Sequence, residues 1–184
     1  MSGKTEAEAY QQFIALFQRA LSCVSDAVLL STGYRPRTQP HIITLSQDPT
    51  PLRGPHRLGF SAFCTYRLVN SSGRSVSSYP WSVKVTGYAY AFHDSEGREI
   101  LAYHWHPEGI SPLTIPHLHL GPAAHVGFAP LHRAHLPTRR IQFIQFDDIL
   151  RLALTDLGVT ARRTDWETTL AETGAALDPP EPNT

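Results

Sequence analysis

The stretch "WSVKVTGYAYAFHDSEGREILAYHWH", residues 81–106, decides the fold. Apolar and aromatic residues alternate with polar ones on either side of "DSEGRE", the period of a half-buried strand. A short polar connection containing glycine between two such runs predicts a hairpin, pairing 83–92 with 98–106. Upstream, "LGFSAFCTYRLVN" shows the same alternation and is separated from residue 81 by the turn-rich "SSGRSVSSYP". Together these runs predict an antiparallel meander.

Outward from the meander the pattern changes. In "TEAEAYQQFIALFQRALSCVSDAVLL", Tyr10, Phe13, Phe17, Leu21, Val24 and Val28 fall at helical spacing, with Ile14 and Ala20 widening the stripe. Thr5 and Glu8 form a capping-box pattern, and Gly33 stands as the expected stop. Residues 35–57 carry five prolines and are expected to be loops around one strand, "HIITL". Residues 107–138 are rich in Pro, Gly and His with one short strand at "HLHL", and 140–144 is expected to form a last strand. "FDDILRLALTDLG" predicts a helix with Asp147 and Asp148 in its first turn and Gly158 after it. "TDWETTLAETG" predicts another, capped by Thr164 and Glu167 and closed by Gly174. The expected architecture is α+β: a curved antiparallel sheet of about five strands packed against an N-terminal helix and a C-terminal helix pair. One domain over 1–175 and a disordered tail over 176–184 complete it.

Composition limits the function classes. The chain has 184 residues, 41% of them hydrophobic, and no apolar run long enough for a membrane helix. The opening "MSGKTEAEAY" lacks the basic-then-apolar pattern of a secretory signal, so a cytoplasmic location is expected. Cys23 and Cys64 belong to no metal-ligand spacing and are expected to be buried, reduced thiols. A formal charge of zero argues against coating nucleic acid by bulk electrostatics. Lys4 and Lys84 are the lysines among 16 basic residues, so the cationic chemistry is almost all guanidinium.

Histidine is distributed unevenly: eight of the ten lie between His93 and His135. Within them, "AYHWHPEGISPLTIPHLHLG" (102–121) holds two His-x-His pairs. Along a strand, residues i and i+2 share a face, so His104 with His106, and His117 with His119, form two imidazole doublets. On neighbouring strands the doublets would offer three or four nitrogens to a divalent metal, zinc or iron, with Glu108 as a nearby carboxylate. The competing chemistry needs no metal. One imidazole acts as general base and another as general acid on an RNA 2′-hydroxyl or another phosphoester. For that reaction "LHRAHLPTRR" supplies Arg133, Arg139 and Arg140 as phosphate-binding forks. Tyr88, Tyr90, Tyr103 and Trp105 are candidate stacking surfaces whose first duty on a meander is the core. A third possibility is an interaction module with no chemistry.

Other motifs fail. "HLHLGPA" resembles the start of a histidine-triad nucleotide-hydrolase motif, but Gly121 stands where a third histidine belongs. No Gly-rich phosphate loop precedes a helix, and neither a G-x-S-x-G nor a Cys-His nucleophile arrangement is present.

From "GYAYAFHDSEGREILAYHWHP" through "IPHLHLG" to "AHLPTRRIQFIQFDDILRLALTDLG", roughly residues 80–173, the chain resembles TumE-type toxins of bacterial toxin–antitoxin modules. The shared features are an aromatic–His strand after a D-x-x-G-R hairpin, a Pro-His-x-His run and a closing helix. The resemblance implies a toxin with a separate antitoxin protein as partner and RNA as its target, and carries over His104, His106, His117 and His119 by position. The expectation is therefore a small intracellular hydrolase or nuclease with a His-rich site, with a metal-binding β-domain as the alternative.

Overall fold

The computed structural model describes residues 2–35, 39–70, 79–108, 114–125 and 144–177. In chain order the elements are β1 (Ser2–Gly3), α1 (Glu6–Leu21), β2 (Leu29–Ser31), β3 (His41–Leu45) and β4 (Thr50–Pro51). They continue with β5 (Gly59–Asn70), β6 (Trp81–His93), β7 (Glu99–Trp105), β8 (His117–Leu120), α2 (Pro122–His125), α3 (Phe146–Thr155) and α4 (Trp166–Ala176). The class is α+β, as the alternating strands and segregated helices required.

The sheet runs β2-β3-β5-β6-β7-β8 with every neighbouring pair antiparallel. It has eight strands where about five were expected. The extra ones are short: β1 adds two residues beside Trp81 and Ser82, β4 adds two beside Gly59 and Phe60, and β2 flanks β3. Such fragments have too few residues to show a period of two. Bulges between Thr65 and Tyr66 and between Phe92 and His93 interrupt the register and bend the long strands. The β6–β7 hairpin closes where the sequence placed it: Asp94 donates its backbone N–H to the Arg98 carbonyl at 2.9 Å, and Gly97 supplies φ +78°.

One sheet face carries the core. Phe60, Cys64, Tyr66, Tyr88, Tyr90, Phe92, Tyr103 and Trp105 are buried there, with Phe13, Phe17 and Leu21 of α1 and Phe146, Ile149 and Leu150 of α3 in the same cluster. Phe17 and Phe146 stack with centroids 4.8 Å apart, and Tyr90 meets Phe146 at 5.4 Å. Both cysteines are free and buried. Among the described residues, no helix is long and apolar enough to cross a membrane.

Three boundary expectations are corrected. The first helix ends at Leu21, well before Gly33, and Val28 is 57% exposed. The Gln18 side chain explains the stop. Its Nε2 donates to the Ala27 carbonyl and its Oε1 accepts from the Leu29 N–H, folding the chain back into β2. The last helix is capped at Asp165 instead of Thr164 and continues through Gly174 to Ala176. Gly174 is a contact point there, not a terminator: a Cβ on it would collide with the Asp147 carboxylate of α3. Ile144 lies outside any strand, and the rest of the strand expected over 140–144 lies outside the described residues.

Candidate metal centre

Alternation in "AYHWH" divides two chemistries between the sheet faces. Tyr103 and Trp105 turn into the core at 5% and 6% exposure, so neither is a surface on which a base can stack. Tyr88 and Tyr90 are buried beside them. Ala102, His104 and His106 take the opposite face. β8 then lies antiparallel to β7 with His104 opposite His117 and Ala102 opposite His119. This register puts both doublets on one surface, away from the helices.

The four imidazoles form one cluster. Ring centroids are 4.8 Å apart for His104–His119 and for His117–His119, 5.4 Å for His106–His117, 5.6 Å for His104–His106 and 6.0 Å for His104–His117. For His104, His106 and His117, one ring nitrogen from each lies within 4.8 Å of the others. Metal–nitrogen bonds of about 2.0–2.1 Å place tetrahedral ligand atoms roughly 3.3 Å apart, so side-chain rotations of an ångström or so would close the set. His119 does not join it, and neither does Glu108, which is exposed. Of the four imidazoles offered by the two His-x-His pairs, three bring a nitrogen into this set.

Protonation states favour ligation. The Nδ1 of His117 lies 2.8 Å from the Ile115 carbonyl oxygen, which only accepts, so Nδ1 is the donor there and Nε2 is the nitrogen left to face a metal. His104 is held down to about 4 by burial and then by the neighbouring His119, His106 and His117, and is therefore neutral at pH 7. Neutral imidazoles are metal ligands, whereas a general acid must hold its proton.

Three local features position β8, two of which the sequence did not disclose. The Trp105 indole N–H donates to the Thr114 carbonyl at 3.2 Å, anchoring the chain as it enters β8. Gly121 ends the strand with its N–H on the Ile100 carbonyl at 2.9 Å, and a Cβ there would collide with the Glu99 carbonyl. "PHLHLG" displayed that glycine, but its reason, a backbone approach across strands, is a tertiary one. Pairing over four residues supplies the rest.

The remaining candidates divide. Arg133, Arg139 and Arg140 lie outside the described residues. His41 is buried against Tyr66, centroids 5.2 Å apart, and His56 is exposed far along the chain from the cluster. Asp148 accepts the Gln145 N–H at 3.0 Å at the start of α3, so it caps a helix. No protein-family model, curated protein or solved structure matches the chain.

Proposed function

We propose that this protein binds a divalent transition metal, zinc or iron, through His104, His106 and His117 and uses it for hydrolysis. The convergence of three ring nitrogens within 4.8 Å, on the sheet face opposite the aromatic core, carries this reading. Three imidazole nitrogens would leave a tetrahedral cation one position for water, and bound zinc brings the pKa of such a water to about 7. Phosphoesters, RNA among them, are the substrate class in this reading. Support comes from the sequence resemblance and from the Arg133, Arg139 and Arg140 forks that follow the site in the chain. The two unpaired buried thiols support a reducing, cytoplasmic setting. An antitoxin-like protein partner is part of the same proposal and rests on the resemblance alone.

Metal analysis of protein purified without a polyhistidine tag tests the reading. We expect about one zinc or iron per chain, loss of that metal in His117→Ala, and RNA cleavage that chelation abolishes and metal restores. Metal-free protein that cleaves RNA at the full rate would instead assign the four imidazoles to acid–base catalysis.

A further inference from the structure

The strand registers place one transverse row across the outer face: Leu30 opposite Thr44, Thr44 opposite Phe63, Phe63 opposite Ala89, Ala89 opposite His104, and His104 opposite His117. Two properties of this row bear on the metal centre. Between His104 and Phe63 stands Ala89, so the surface drops to a methyl group over a width of about 10 Å, two strand spacings. Phe63 itself is 41% exposed, in contrast to its strand neighbours Ala62 at 5% and Cys64 at 2%. An aromatic ring is thus exposed on a central strand, in the same transverse row as His104 and His117 and separated from His104 by the low step at Ala89, a shallow trough. Ala89 is part-exposed, whereas Gly87 and Ala91, two residues away along β6, are buried, so the low point of the row is Ala89 alone.

We infer that this trough binds an oxyanion carried on a flat ring, the chemistry of a nucleoside monophosphate unit, with the oxyanion at the metal and the ring against Phe63. The inference rests on the proposed metal centre and names what completes it. Among the described residues three nitrogens converge, which would leave a tetrahedral cation one further position, and a phosphate oxygen suits a Lewis-acidic cation. The ring half of the ligand has a partner because every base presents a π-face and aromatic side chains bind it without regard to sequence. The methyl side chain of Ala89 lets that ring approach the sheet, where a leucine- or lysine-sized side chain would exclude it.

Cobalt(II)-loaded full-length protein provides the test, its visible spectrum reporting ligands that enter the coordination sphere. Adenosine 5′-monophosphate and ribose 5-phosphate share the phosphate and the sugar and differ by the base. We expect the nucleotide to bind about ten-fold more tightly, the scale of one stacked base. That advantage should vanish in Phe63→Ala and in Ala89→Leu, which removes the wall and fills the floor respectively, while cobalt stoichiometry stays unchanged. Equal affinity for the two ligands, or an advantage that survives both substitutions, overturns the trough but leaves the metal centre standing. Failure of the wild-type chain to take up cobalt overturns the metal reading itself.

Discussion

Burial and three imidazole neighbours hold His104 near 4, against an ordinary value of 6.5, and that difference has a consequence for the metal-free protein. Between those values the unfolded chain binds a proton at this position that the folded chain refuses. Stability contributed by the neutral ring is therefore fully present above about 6.5 and is lost as pH falls toward about 4. Denaturation of chelator-treated protein across that window should show the midpoint dropping with acid, and His104→Ala should flatten the slope. A slope unchanged by the substitution would mean that His104 does not sit among the other rings in solution. Metal moves the balance in the same sense, since protons and metal compete for the ring nitrogens. Histidines 104, 106, 117 and 119 were legible in the sequence because His-x-His on a strand leaves little choice of face. That three and not four nitrogens converge was not legible, because it depends on cross-strand register and side-chain rotation.

At the scale of elements, the centre depends on how β8 is seated against β7. Four paired residues are a weak hold, and the Trp105–Thr114 bond and the glycine at 121 define the two ends of the strand. Gly121→Ala should cost about 1–3 kcal/mol through overpacking against the Glu99 carbonyl and weaken metal binding at least several-fold by displacing His117. Trp105→Phe keeps an aromatic ring in the core but removes the indole N–H, at about 1 kcal/mol for a neutral hydrogen bond. Thermal unfolding paired with metal titration checks both. If Gly121→Ala binds metal like the wild type, the strand end does not position the site. The long elements β5, β6, β7, α1 and α3 were readable because each repeats its period several times. β1, β2 and β4 were not, and the helical stripe ran on to Val28 because nothing local announces that the Gln18 side chain will hold the backbone of Ala27 and Leu29.

Over the whole molecule, core and site occupy opposite faces of one sheet, so stability and binding should be separable. The aromatic layer of Phe17, Phe60, Tyr90 and Phe146 lies beneath the helices, while the imidazoles project from the other side. Replacing His104, His106 and His117 together by alanine should leave the far-ultraviolet dichroism intact and abolish stabilisation by metal. Phe146→Ala removes a ring at 1% exposure that contacts Phe17, Phe60 and Tyr90, and should cost about 3–5 kcal/mol. Metal should offset much of that loss, because a ligand that binds the folded chain alone contributes about 4 kcal/mol at a thousand-fold excess over Kd. Melting curves of Phe146→Ala with and without zinc therefore measure both halves of the argument at once. A zinc-induced rise in Tm that is absent from the triple-histidine variant at the same zinc concentration is the expected result. An equal rise in both would place the metal somewhere other than these three side chains.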